Sequence, residues 1–248
     1  MQVREVAIDR IDGDTRAADR DRVVVEAPLQ IRARGTPVAT VMRTPGHDLE
    51  LVRGLLHAES IPSGALAQAD EDAIEVDVDA SVFAGRGLLA SAACGVCGRV
   101  AIADLEQRAR SVEADTRLAH AVLATLPDAL RAAQDVFGAT GGLHAAGLFT
   151  TDGALVAARE DVGRHNAVDK LVGWGLSRLD PAQHVLFLSG RAGYELVQKA
   201  IMLGVPIVAS VSAPSSLAIE LAERFNVALA GFVRGDRCNI YSHAWRIS

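Results

Sequence analysis

Lysine is nearly missing from this chain of 248 residues: of its 25 basic residues only Lys170 and Lys199 are lysines. A chain that elsewhere uses the planar guanidinium and keeps a compact ammonium at two places marks those places for a need that arginine does not meet. Cysteine is scarce too. Of three, Cys94 and Cys97 form the one closely spaced pair, so a four-cysteine zinc ribbon is ruled out, and Cys238 or scattered histidines would have to complete any metal site. No apolar run approaches the ~20 residues that span a bilayer, and the opening stretch MQVREVAIDRIDGD is too charged for a secretory signal. Positive charge is not in excess: 31 acidic residues against 25 basic ones argue against a general nucleic-acid or membrane-surface binder. Together these absences place the chain in the cytoplasm, where its cysteines are reduced and chemical rather than structural. There is no internal repeat and no low-complexity segment.

The pair itself, Cys94-Gly95-Val96-Cys97-Gly98, is the most informative stretch present. Ser91, Ala92 and Ala93 before it offer little to pack, and Val100 to Arg110 after it reads as a helix. Thiols on a loop near a helix N-terminus have a favoured thiolate, which is the nucleophile. Metal binding, dithiol redox chemistry and sulfur relay through a persulfide all use such a pair. The spacing alone does not rank relay above redox.

Half of the residues are hydrophobic and the mean hydropathy is +0.20, enough to bury a sizeable core in one large or two modest domains. The pattern divides the chain at about residue 112. Residues 1 to about 20 are polar and read as a frayed or edge segment. Val23–Val25, Leu29–Arg32 and Pro37–Arg43 read as strands, Asp48–Ala58 as a helix after Thr44-Pro45-Gly46, and the alternating Asp72–Asp79 as a half-buried strand. Residues 1–112 are therefore a β-rich domain ending in the cysteine loop. Residues 113–248 alternate helix and strand: helices at Thr116–Leu126, Asp128–Phe137, Asn166–Leu176, Tyr194–Leu203 and Leu217–Phe225, with strands at Val185–Leu188, Val205–Val211 and Val227–Val233. The fold class is α/β, with a layered α/β second domain.

Polar segments fall where such a sheet builds sites. Ser189-Gly190-Arg191, Ser212 to Ser216 and Arg234-Gly235-Asp236-Arg237 each follow a predicted strand, where backbone N–H groups and arginines can hold phosphate. The implied ligand is anionic, a phosphate or a nucleotide. Glu160 to Asn166, containing Arg164 and His165, is the densest polar cluster. It either caps the next helix or hydrogen-bonds a cofactor. Lys170 and Lys199 lie in or beside these segments. His144, after Thr140-Gly141-Gly142-Leu143, is a ligand, a base or a structural histidine, and Cys238 reads as packing.

On these segments the sequence resembles the FdhD/NarQ family of formate dehydrogenase accessory sulfurtransferases. The resemblance rests on Cys94-Gly95-Val96-Cys97-Gly98, Thr140 to Ala146, Ala158 to Lys170, Ser189-Gly190-Arg191, Ala213 to Ala218, and Gly231 to Arg237 leading to Asn239 and Tyr241. It implies a sulfurtransferase that takes sulfur from a cysteine desulfurase and passes it to a molybdenum or tungsten bis-guanine-dinucleotide cofactor for the formate dehydrogenase catalytic subunit. It implies Cys94 as the persulfide carrier with Cys97 its partner, and the cofactor-binding segment at Phe232, Val233, Arg234, Gly235, Asp236 and Arg237. With the strand-end reading, Ser189, Gly190, Arg191, Ser215, His144, Arg164, His165 and Lys199 complete the expected cofactor site. The resemblance further implies a homodimer and a second domain like the cytidine deaminase fold, with three α/β/α layers. Ala145 and Ala146 follow His144 where a deaminase needs its glutamate, so deamination and a bound metal are not expected.

Overall fold

A computed structural model describes residues 1–83, 102 and 105–248. The cysteine pair, Cys94 and Cys97, lies outside the described residues, as do residues 100, 101, 103 and 104 of the helix expected after it, of which 102 and 105–108 are helical.

The first 20 residues, expected to be a frayed or edge segment, are ordered. Instead of a frayed end, β1 (Val3–Asp12) and β2 (Thr15–Val24) form an antiparallel ribbon with ten residues in each strand. Gly13, at φ 57°, takes the left-handed turn conformation between Asp12 and Thr15. Exposed ion pairs cross the ribbon from Arg10 to Asp19, Arg16 to Asp9 and Arg20 to Glu5. Both faces are solvated, so no apolar alternation announced the strands.

β3 (Ala27–Ala33), β4 (Thr36–Arg43), β5 (Leu66–Asp70) and β6 (Ala73–Val76) make a four-stranded sheet in the order β4-β3-β6-β5. Across it lies α1 (Asp48–Ala58), which buries Leu51, Val52 and Leu56 against Leu29, Ile31, Ile74 and Val76. The Arg43 guanidinium, 1% exposed, holds Asp48 and Asp72 at 2.9 Å and so ties the end of β4 to the first turn of α1.

The second sheet has six strands: β7 (His144–Thr150), β8 (Leu155–Asp161), β9 (His184–Leu188), β10 (Ile207–Ser210), β11 (Ala228–Arg234) and β12 (Arg237–Ser242), in the order β12-β11-β10-β9-β7-β8. β9, β10 and β11 are parallel; β7 and β12 run against their neighbours. The alternation of each strand sends one set of side chains to each face. Leu148, Leu186, Leu188, Val208 and Leu229 pack against α5 (Arg164–Gly175), α6 (Tyr194–Leu203) and α7 (Ser216–Arg224). Ala145, Phe149, Val185, Phe187, Ile207 and Ala230 face the short helices α2 (His120–Leu123) and α3 (Leu126–Ala132), followed by α4 (Asp135–Thr140). The α/β class holds, and helices flank the sheet on both sides. The helices read over residues 116–137 are shorter than expected: Pro127 starts a new helix at its first turn, and another break falls at Gln134. Leu105 and Val112, before the proposed boundary, pack in the core of this second sheet.

The two sheets meet where α1 crosses α5. A Cβ on Gly54 would lie 1.9 Å from the Asp169 carbonyl oxygen, and one on Gly173 would lie 1.9 Å from that of Glu50. The helices therefore touch backbone to backbone, and only glycine fits at either crossing point.

Candidate functional site

The strand directions decide where the polar segments gather. β8 ends beside the start of β7, with His144 opposite Asp161, and β9 runs against β7, so Ser189 also reaches that edge. The parallel neighbours β10 and β11 end there too, and Arg234 pairs with Arg237 across the hairpin to β12. One edge of the sheet thus carries the segments that follow β8, β9, β10 and β11.

At its centre stands His144, half-buried, with Nδ1 3.3 Å from where a Cβ on Gly190 would sit. Burial pushes the His144 imidazole below its ordinary pKa, and the charges of Arg164, His165 and Arg191 push the same way. The ring is neutral at physiological pH and able to accept as well as donate. Those three cationic or basic neighbours make this part of the edge attractive to an anion. His165 Nε2 lies 2.9 Å from Glu195 Oε2, and the hydrogen bond from His165 holds the Glu195 carboxyl below its usual range. Ser189 Oγ accepts the Ala145 N–H at 2.8 Å, locking the end of β9 to the start of β7.

The segment from Phe232 to Arg237 is strained and open. Phe232 has φ 54°, a left-handed conformation that costs a bulky residue about 1–3 kcal/mol, and its ring is 40% exposed at a bulge in β11. Its N–H donates to the Ser212 carbonyl, and Gly231 beside it lets the Pro214 ring and Ser212 approach. Arg234, Gly235, Asp236 and Arg237 are exposed, whereas the Val233 side chain is buried in the core, leaving its backbone to serve a ligand.

Other expected site residues have structural partners. Ser215 caps α7 by accepting the Ala218 N–H. Lys199 lies one layer deeper, with Nζ 2.7 Å from the buried Asp169 Oδ1. Burial raises the Asp169 carboxyl and Lys199 opposes the rise. Lys170, fully buried, lies 2.7 Å from the equally buried Asp161 and donates to the Thr44 carbonyl at 2.8 Å. Asp161 also accepts from the N–H of Thr44 and Gly163 and from Asn166 Nδ2, which donates to the Met42 carbonyl as well. These contacts bind the loop after β4 to the turn that presents Arg164 and His165. Both scarce lysines are thus buried ammonium groups paired with aspartates, and Lys170 belongs to a latch between the two sheets. The 160–166 cluster divides accordingly: Glu160 accepts two N–H groups at the start of α4, Asp161 and Asn166 hold the latch, and Arg164 and His165 face the edge.

A pocket of about 590 Å³ opens beside His144, lined by Leu130, Arg131, Gln134, Phe137, Phe187 and Ser189 among others. Arg131, Gln134 and Phe137 carry no signal in the sequence, because a lone glutamine between two short helices follows no motif. Among the described residues no three His, Cys, Asp or Glu side chains group closely enough to hold a metal ion. No helix among them is long and apolar enough to cross a membrane.

Known proteins resemble this chain in sequence and in fold. The model of the FdhD/NarQ family matches residues 24–248. Over 247 residues the chain is 46% identical to the sulfur carrier protein FdhD of Nocardia farcinica, covering 92% of this chain and 88% of the relative. It is 42% identical to the protein of the same name from Sulfolobus acidocaldarius, covering 100% of this chain and 99% of that one. In fold it is similar to a solved protein of Desulfotalea psychrophila, provisionally described as a formate dehydrogenase accessory protein, with a TM-score of 0.82 over both whole chains at 24% identity.

Proposed function

Since the chain belongs to the FdhD/NarQ family, we propose that it is a sulfur carrier serving a formate dehydrogenase, with Cys94 as the carrier thiol and the strand edge as the seat of the cargo. The observation that carries this reading is the convergence of His144, Arg164, His165 and Arg191 at one edge, flanked by the exposed Phe232 and Arg234. Such an edge suits the phosphates of a guanine-dinucleotide cofactor of molybdenum or tungsten, with Phe232 free to stack on a ring.

In the first step the Cys94 thiolate attacks the terminal sulfur of a cysteine desulfurase persulfide. A new S–S bond forms at Cys94, the donor's S–S bond breaks, and the donor thiolate leaves. In the second step that outer sulfur passes to the cargo's metal, which supplies the two electrons that turn it into sulfide, and the Cys94 thiolate is regenerated. Cys97 stands close enough in sequence to guard or assist this exchange. His144 and the arginines hold the cargo's phosphates and take no part in the sulfur bonds. The chain works as a cytoplasmic homodimer on this reading.

Incubation of the purified chain with a cysteine desulfurase and cysteine is expected to add one sulfur atom to the Cys94 peptide, removable by reductant and seen by peptide mass spectrometry. Sulfur found on Cys238 alone would overturn the choice of carrier. Cys238 is a poor candidate because burial raises its thiol pKa and so disfavours the thiolate.

A further inference from the structure

We infer that Glu195 and His165 form a carboxylate–histidine dyad that supplies the proton needed when sulfur leaves the carrier thiol, with His165 as the acid and Glu195 as its positioning residue. The inference rests on the reading of the strand edge as the seat of the cargo. His165 and Glu195 are each the second residue of their helix, so α5 and α6 both bring a side chain to that edge at their first turn. The two meet as a rung between the helices, with His165 Nε2 2.9 Å from Glu195 Oε2. Residues four apart share a helix face. One turn deeper, Asp169 and Lys199 accordingly form a second rung at 2.7 Å, almost wholly buried, which fixes the spacing of the helices and with it the geometry of the first.

The hydrogen bond from His165 holds the Glu195 carboxyl below its usual range, and a first-turn position favours the anion further, so Glu195 is a lasting acceptor at neutral pH. That bond engages Nε2 and leaves Nδ1 as the second donor of an imidazolium. The charged and titratable groups acting on the dyad are Arg164 and Asp169 from α5, Lys199 from α6 and His144 from β7. His144 is kept neutral by burial and by the cations around it, whereas His165 faces a carboxylate. Two histidines at one edge thus have opposite surroundings, and the acid is the one with the carboxylate.

In the handover the reduced metal of the cargo takes the outer sulfur of the Cys94 persulfide and gives it two electrons. The S–S bond breaks, and the inner sulfur leaves as a thiolate. Since the sulfur meets the cargo at the edge, the thiolate is left there too, where it can take the sulfur back. Transfer of the Nδ1 proton of His165 to that thiolate closes the return path, and water reprotonates the imidazole.

The test is single-turnover transfer of radiolabelled sulfur from the loaded full chain to the molybdenum bis-guanine-dinucleotide cofactor released from a formate dehydrogenase, without oxygen and at saturating cofactor, from about pH 5 to 8. The parent rate is expected to fall as pH rises, because the acid loses its proton. His165→Gln is expected to be slower by about a hundredfold or more at the acid end and to lose the pH dependence, with added imidazole restoring part of the rate to His165→Ala. Glu195→Gln is expected to be about tenfold slower with the same half-saturating cofactor concentration as the parent, a split that a merely structural role would not give. Circular dichroism checks the fold of each variant. A parent chain that loads yet passes no sulfur to the cofactor defeats the reading of the edge and the dyad with it. A parent that does pass sulfur, with His165→Gln as fast and as pH-dependent, overturns the dyad alone.

Discussion

Replacing Cys94 by alanine is expected to abolish activation of the client formate dehydrogenase while leaving the chain folded. Only a thiolate can take sulfane sulfur from a persulfide, and alanine has no group to replace it. The substitution removes a small side chain from a stretch of glycines and alanines, so little packing goes with it. Cys97→Ala is expected to have an effect comparable or smaller, because a guarding thiol aids transfer without carrying the sulfur. The measurement is formate dehydrogenase activity in cells that lack the natural carrier and express each variant, with circular dichroism of the purified variants. Full activation by Cys94→Ala would remove the relay.

The largest expected loss of stability follows Lys170→Met. Lys170 and Asp161 are both fully buried and 2.7 Å apart, and methionine leaves the Asp161 carboxylate uncompensated inside the protein. Removing one partner of such a pair costs about 3–5 kcal/mol. The loss should appear as a lower midpoint in urea unfolding. Asp161→Asn combined with Lys170→Met should be less damaging than the single change, since no lone charge remains. A single variant within about 1 kcal/mol of the parent would show that water reaches the pair and that the latch is not dry.

How much of this was legible in the sequence depends on the kind of signal each element carries. Helix α1 was read with its observed limits because Thr44-Pro45-Gly46 breaks the chain before it and its apolar spacing follows a helical period. The strand-end placement of Ser189 to Arg191 and of Arg234 to Arg237 was legible because buried strands are short apolar runs with abrupt polar ends. The β1–β2 ribbon was not, since strands wet on both faces have no apolar alternation to read. Nor were the partners of Lys170 and Lys199, because Asp161 and Asp169 differ in sequence from any surface aspartate only through burial. Gly54 and Gly173 carry no sequence signal, and their necessity appears only when α1 and α5 cross.

On this reading the chain accepts sulfur at Cys94 and holds its anionic cargo elsewhere, at the strand edge. Arg234 and Arg237 pair across the exposed β11–β12 turn and support no core, so Arg234→Ala with Arg237→Ala tests the cargo side alone. GDP titration and desulfurase loading on one preparation of that double variant give the most direct answer. GDP binding is expected to weaken by about tenfold or more, as follows from lost charge-assisted hydrogen bonds, with sulfur still loading on Cys94 as in the parent chain. Loss of both activities in a chain that circular dichroism shows to be folded would contradict it.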